Sequence, residues 1–315
     1  MAVVRAPRRL ALDRDGIFLL LAATVIIAAL TIPAFRDPAN FANLFRQAGV
    51  LGILAIGQTF VIVAGMIDLS IGMIAGLVVV LSSVLLNGNA VLTLPVVALM
   101  ILVGAGIGLL NGVLLNTLRL HPLILTFGML SVLQGAIFSF TDKSVGRTSE
   151  PLSILANGDI FGIPWIAILL MGLAVGAHFL FARSRFGYHL VAAGGNPESA
   201  RRAGINVERI RLAVFVISGA TAALAGVLLA GRLGTGYPLA GNGLELDAIV
   251  AVVLGGTLLS GGRGSIWRSL AGVLMLAVIS NVLNLLGVSA FVQQFIKGVI
   301  VIVAILLNQP RGANA

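Results

Sequence analysis

The chain has no cysteine at all. Disulfides, thiolate metal sites and cysteine nucleophiles are therefore excluded. Charge is almost as scarce, at 10% of residues where an ordinary soluble domain carries roughly 25%. Histidine occurs three times, scattered at 121, 178 and 189, which is no metal-ligating pattern. The phosphate-binding pattern G-x-x-x-x-G-K-[ST] is missing. Gly255-Gly256 and Gly261-Gly262-Arg263-Gly264 are glycine-rich but lack the lysine, and read as a tight turn. A chain that used ATP would depend on another chain to bind it.

What is present is apolar. Hydrophobic residues make up 59% of the 315, and mean hydropathy is +1.10. No soluble core hides that much apolar surface, so lipid is the expected solvent. The net charge of +9 does not point to nucleic acid, because the arginines sit in loops, where they orient a membrane chain. Arg5, Arg8 and Arg9 precede an apolar run from Ile17 to Phe35. That run is long enough to span, and no small-residue cleavage site follows it, so it reads as an uncleaved first helix.

Hydropathy predicts an all-α polytopic bundle of about ten spans, near 17–35, 48–66, 70–87, 91–115, 122–140, 162–181, 211–231, 245–260, 268–286 and 290–307. The third and eighth are the weakest, and either is a candidate re-entrant segment. Tails at 1–16 and 309–315 flank a membrane domain at 17–308. With the N-terminus in the cytoplasm, Arg5, Arg8, Arg9, Arg14, Arg119, Arg263, Arg268 and Arg311 fall inside. Arg36, Arg46, Lys143, Arg147 and Arg232 fall outside. Six further arginines, at 183, 185, 201, 202, 209 and 211, fall inside in one polar island, 183–211. This bias predicts both termini in the cytoplasm. The longest outer loop, 141–161, is the candidate surface for a periplasmic partner or a gate.

Glycine is abundant. Gly104, Gly108 and Gly112 share one helical face, as do Gly72 and Gly76, which predicts close helix packing. Among charged residues near the spans, Asp68 precedes an apolar run and is expected to cap a helix, with a solute or gating role as the alternative. Glu245 and Asp247 open the eighth span, expected on its outer side. Lys297 lies within the last span, where it pairs with an acid, snorkels or faces a pathway. Uncharged polar residues within or near spans are Gln58, Thr59, Asn111, Gln134, Asn281, Asn284, Gln293 and Gln294. Each either bonds between helices or lines a pathway for a hydroxyl-rich solute.

Several segments together resemble one family. AIGQTFVIVAGMIDLSIG (55–72), GLLNGVLLNTLRLHPLILTFGML (108–130), GNPESARRAGINVERIRLAVFVISGATAALAG (195–226), ELDAIVAVVLGGTLLSGGRGSI (245–266) and NLLGVSAFVQQFIKGVIVIVAILLN (284–308) resemble the bacterial ABC-importer permeases for ribose and related monosaccharides. The likeness covers nearly all of the chain beyond Asn40. It implies two permease subunits, identical or paralogous, with ATPase subunits, often fused in one chain, docked on the cytoplasmic face. It also implies a periplasmic sugar-binding protein. ATP and magnesium would be held by the ATPase, leaving this chain no cofactor and no catalytic residue.

The docking element of ABC importers resembles E-A-A-x-x-x-G, and here Glu198-Ser199-Ala200-Arg201-Arg202-Ala203-Gly204 keeps the glutamate and glycine. Serine replaces the first alanine, and the later Leu-Pro is missing. By this resemblance 194–206 is the coupling helix, with Gly194, Gly195, Asn196, Pro197, Glu198, Ala200, Arg201 and Gly204 as its residues. Candidate pathway or gate residues are Gln58, Thr59, Asp68, Asn111, Gln134, Asn281, Asn284, Gln294 and Lys297. Met66, Trp267-Arg268 and Thr141–Arg147 depart from the usual pattern, and the sugar stays open. A branched-chain amino-acid permease of the same superfamily and an ion-coupled secondary carrier are the alternatives. The carrier is expected to show deep carboxylates or an inverted repeat of broken helices.

Overall fold

The computed structural model describes residues 12–307. Arg5, Arg8, Arg9, Arg311 and the 309–315 tail lie outside the described residues. Thirteen helices follow one another among those described: α1 (Leu12–Thr31), α2 (Pro38–Val63), α3 (Ile71–Leu86), α4 (Thr93–Leu118), α5 (Pro122–Phe140), α6 (Glu150–Asn157), α7 (Trp165–Ala182), α8 (Arg185–Gly195), α9 (Pro197–Arg202), α10 (Val207–Leu233), α11 (Leu244–Leu254), α12 (Ile266–Leu285) and α13 (Ala290–Leu307). A two-residue antiparallel hairpin, Asp159–Ile160 with Ile163–Pro164, is the sheet content among these residues.

Among the described residues, six helices (α2, α4, α5, α7, α10 and α12) are long and apolar enough to cross a membrane. The protein is therefore all-α and multi-pass. The second span begins ten residues earlier than hydropathy suggests. Its first turn is polar, but Asp37 accepts from the Ala39 amide (2.9 Å) and Pro38 occupies the first helical position, so the helix starts there.

α2 and α10 form the centre. Along α2, residues from Ala48 to Val63 are buried without a break. α10 packs on α2, α3 and α4. The predicted small-residue face of α4 makes the last of these crossings: a Cβ on Gly104 would stand 2.3 Å from the Gly219 carbonyl oxygen, and one on Gly108 2.1 Å from that of Phe215. Only glycine lets these backbones meet, which is how helices associate where lipid gives no hydrophobic drive. Outward faces carry exposed Leu102 and Leu109 on α4, Ile124 and Phe127 on α5, and Met171 and Phe179 on α7.

Gly72 and Gly76 serve a different contact. They receive an irregular strand of chain, not a helix. After α10 ends at Gly234, residues 235–243 run back along α3. Gly236 lies against Val80 and Ser83, and Gly241 against Gly72 and Gly76. α11 then starts beside the first turn of α3. Its 11 residues make about 16 Å, short of a hydrocarbon core of about 30 Å. On the other side, α2 ends at Val63 and residues 64–70 return without helix to the start of α3. Two broken helices of opposite sense thus meet by their N-termini.

The loop between α5 and α6 is pinned. Gly88 N donates to Arg147 O (2.9 Å), Arg147 N to Ser83 O (3.0 Å), and Val145 bridges Gly236. Asn157 ties α6 to the Gly231 carbonyl (3.0 Å).

Candidate functional site

The polar island folds as two helices in a hairpin. Ser184 caps α8 through the Gly187 amide (3.1 Å), and Asn196 caps α9 through Ser199 (2.9 Å) with Pro197 at its first position. Gly204, at φ +82, turns the chain after α9, and Ile205 N closes the turn on Ala200 O (3.0 Å). Ala200 is buried among Val63, Met66, Leu190, Ala193 and Val207. Glu198 and Arg202 pair on the exposed face, and Arg201 pairs with Glu208 at 2.7 Å. Exposed pairs of this kind add little stability. Their arrangement leaves a short, capped, charged helix held from beneath by its buried alanine.

Backbone contacts tie that hairpin to the bundle. A Cβ on Gly194 would stand 1.8 Å from the Val63 carbonyl oxygen, and one on Gly261 2.6 Å from that of Gly194. Gly262 N donates to Val63 O (2.8 Å). The end of α2, the end of α8 and the turn after α11 therefore share one junction. Gly195 borders it, facing Gly262. Five residues beyond Val63 stands Asp68.

Asp68 is fully buried, but it does not cap α3 in the expected way. The N-cap position belongs to Ser70, and Asp68 lies two residues ahead of it. Its Oδ1 accepts from the Ser70 amide (3.0 Å) and hydroxyl (2.6 Å), and its Oδ2 from Ser218 Oγ (2.8 Å), midway along α10. Asn111 Nδ2 donates to Ser70 Oγ (3.0 Å), while its own Oδ1 is buried without a partner among the described residues. One carboxylate thus joins α10 and the α3 N-terminus, and α4 joins through Ser70. Charged acceptors of this kind make the stronger class of hydrogen bond.

Glu245 opens α11 together with Asp247, as foreseen, but residues 235–243 first carry the chain back along α3, so it is buried beside the first turn of α3. A Cβ on Gly72 would stand 2.0 Å from Glu245 Oε2, a buried oxygen with no hydrogen-bond partner among the described residues.

The other candidates separate. Asn281 exchanges amide bonds with Asn40 (2.7 and 3.0 Å), tying α12 to α2. Asn284 accepts from Gln293 (2.8 Å), tying α12 to α13. Thr59 Oγ1 lies 2.6 Å from Ala55 O and 2.9 Å from Ser269 Oγ. Gln134 is half-buried on α5, away from these groups. Gln58 is fully buried in α2, with neither amide atom partnered among the described residues.

Gln294 and Lys297 come together in a cavity of about 760 Å³ between α11 and α13, which Asn242, Asp247 and Gln293 also line. Lys297 Nζ meets Asp247 Oδ2 at 2.7 Å, so of the three uses foreseen for it, pairing with an acid is the observed one.

Long apolar helices enclosing a buried polar seam, with an exposed charged helix knitted to that seam, define a multi-pass membrane permease. Residues 40–305 match the family described as "Branched-chain amino acid transport system / permease component", and the chain belongs to that family. It is 40% identical to the ribose import permease protein RbsC of Bacillus subtilis (strain 168), over 96% of this chain and 94% of that one. It is 35% identical to the L-arabinose ABC transporter permease protein AraH of Azospirillum brasilense, over 95% and 88% of the two chains. It is also 35% identical to the D-allose transport system permease protein AlsC of Escherichia coli (strain K12), over 94% and 92%. No solved structure matches. The permease is a transporter subunit without a catalytic role, and a multi-pass protein of the bacterial inner membrane.

Proposed function

We propose that the chain is the permease subunit of an ATP-driven ABC importer for a monosaccharide. Relatives named for ribose, arabinose and allose import support a sugar over an amino acid, although the family takes its description from amino-acid transport. About ten segments enter the membrane, the third and eighth as broken helices, with both termini in the cytoplasm. A second permease subunit, identical or paralogous, completes the pathway. A cytoplasmic ATPase, single or fused double, docks on 194–206, and a periplasmic sugar-binding protein docks on the outer face near 141–161.

The observation that carries this reading is the junction at Val63, Gly194, Gly261 and Gly262. Gly194, Gly195, Asn196, Pro197, Glu198, Ala200, Arg201 and Gly204 build the surface that an ATPase would push. A push on α9 reaches α2 and the turn after α11 through backbone, with no side chain to absorb it. From there it reaches Asp68 and the N-terminus of α3 within a few residues. Closure of the ATPase dimer would thereby shift the two broken helices against each other, opening the pathway to one side and then the other. Low affinity for the sugar suffices within the membrane, because the binding protein supplies capture. The polar, largely uncharged rim of Asn242, Gln293 and Gln294 in the α11–α13 cavity suits hydroxyl groups, with Asp247 and Lys297 neutralising each other there.

The buried carboxylates and opposed broken helices are also what an ion-coupled carrier would show. The three donors that occupy Asp68 make it a joint of the fold, and the coupling hairpin has no use in a carrier that works alone. Sugar uptake by proteoliposomes separates the two. Uptake that requires the binding protein, the ATPase and ATP, and falls with Glu198→Ala, is expected. Uptake by this chain alone under an ion gradient would overturn the importer reading.

A further inference from the structure

A second cavity, of about 810 Å³, opens between the α4–α5 turn and the first turn of α10. It shares no lining residue with the α11–α13 cavity. Arg119, Arg201 and Arg211 line it, and Glu208 is the only acid in its lining among the described residues. Glu208 is already engaged by Arg201 at 2.7 Å. Among the described residues, neither Arg119 nor Arg211 has an ion pair or a hydrogen bond through its guanidinium. Three guanidinium groups thus face one carboxylate, which Arg201 and Arg211 share, and the cavity carries a surplus of two positive charges. The chain holds Arg119 there at some cost, since it ends α4 in the left-handed region at φ +53, where a side chain is disfavoured.

The cavity also offers an acceptor. Asn116 Nδ2 donates to the Glu208 carbonyl oxygen (3.0 Å), which fixes the amide. Its Oδ1 is buried and has no partner among the described residues. Beyond the charged wall the lining turns apolar at Leu120 and Pro122. It continues onto the outward faces of α4 and α5, where Leu118, Ile124 and Phe127 are exposed.

A matching ligand carries negative charge and a hydrogen-bond donor at one end and a long apolar part at the other. We propose that this cavity binds the head group of an anionic phospholipid of the phosphatidylglycerol type. The phosphodiester takes the free guanidinium groups, a head-group hydroxyl serves Asn116 Oδ1, and the acyl chains lie along α4 and α5. Basic pockets at the cytoplasmic ends of membrane helices recognise lipid phosphates in this way, and arginine suits phosphate oxygens better than lysine. An acidic stretch of a partner protein would satisfy the charge but not the apolar flank, so lipid is the better fit. The inference rests on the proposed orientation, which puts this turn at the inner leaflet.

The test is native mass spectrometry of the full chain in detergent, titrated with phosphatidylglycerol and phosphatidylcholine of identical acyl chains. Phosphatidylglycerol should be retained roughly thirtyfold more tightly, as expected for a surplus of two cations near a charged lipid at about a fivefold gain each. The Arg119→Gln/Arg211→Gln variant should lose that preference while still binding phosphatidylcholine, which reports that it is folded. Should it fail to fold, the preference of the unaltered chain should still collapse as salt is raised, and Arg119→Lys/Arg211→Lys should keep much of it. Equal retention of the two lipids, or an unchanged preference in the glutamine variant, would overturn the proposal. Competition by soluble glycerol 3-phosphate as effective as by the lipid would make this a small-anion site. Loss of ATPase co-purification with lipid preference intact would assign it to a protein partner. Binding in detergent is independent of uptake, so failure here leaves the importer reading to its own experiment.

Discussion

Gly106 and Gly108 stand two residues apart on α4 and should respond oppositely to alanine. At Gly108 the new Cβ would be 2.1 Å from the Phe215 carbonyl oxygen, where ordinary contact begins at 3.4 Å, a shortfall of 1.3 Å. The obstacle is backbone in the central helix, so α4 and α10 must part along the whole crossing. Overpacking of this kind costs about 3 kcal/mol at its upper range. Better helix propensity returns about 1 kcal/mol, leaving a loss of roughly 2 kcal/mol. At Gly106 a Cβ meets nothing within 4 Å, so only the propensity gain of about 1 kcal/mol applies. For a chain of this size each kcal/mol moves Tm by roughly 2 °C. Gly108→Ala should melt roughly 4 °C lower than the unaltered protein and Gly106→Ala roughly 2 °C higher. Both are read by fluorescence-detected size exclusion after heating in one detergent. Shifts of the same sign and size in the two variants would refute the claim that backbone contact holds α4 to α10.

Asp68→Ala strands the Ser70 amide and the Ser70 and Ser218 hydroxyls, at about 1–3 kcal/mol for each buried donor. It should lower Tm well beyond Ser218→Ala, and a double-mutant cycle on the pair should give a coupling of about 1–2 kcal/mol, with zero coupling as the refuting result. Lys297→Met and Asp247→Asn should each impair uptake more than the double variant does, because a lone half-buried charge costs more than a missing pair; additive losses would count against that. As the chain has no cysteine, single cysteines at Ser184 and Ser144 can be labelled without background. An impermeant maleimide on intact cells should modify only the second, and the reverse would invert the orientation.

Much of the bundle was legible in the sequence because lipid imposes a length: 20 or so apolar residues mark a crossing whatever their detail. The charged segment 183–211 was legible as a polar island from its six arginines, and its reading as a coupling element came from its resemblance to the docking motif of ABC importers. The weakness of the third and eighth spans was legible too, but not how the two helices meet. The segment Gly234-Thr-Gly-Tyr-Pro-Leu-Ala-Gly-Asn-Gly243 has the composition of a surface loop, and what carries it down α3 is the missing Cβ of Gly72 and Gly76, some 160 residues away. The burial of Glu245 against α3 was therefore not foreseen. Asp68 looked like a helix cap since its decisive partner, Ser218, is a small residue in an apolar span with nothing in its neighbourhood to mark it. Of the polar candidates, sequence could name them but could not divide the paired (Asn281, Asn284) from the cavity-facing (Gln294, Lys297). That division depends on which helix lies opposite.

At Val63, Gly194, Gly261 and Gly262 the joint between the charged hairpin and the bundle is made of main chain. Alanine scanning works by truncation, and here there is nothing to truncate. Such a scan would add volume at the glycines and report damage there, while at exposed side chains such as Glu198 it would report on the surface and not on the joint beneath. On the proposed reading, recognition of the ATPase and transmission of its push thus rest on different atoms of the hairpin, side chains for the first and main chain for the second.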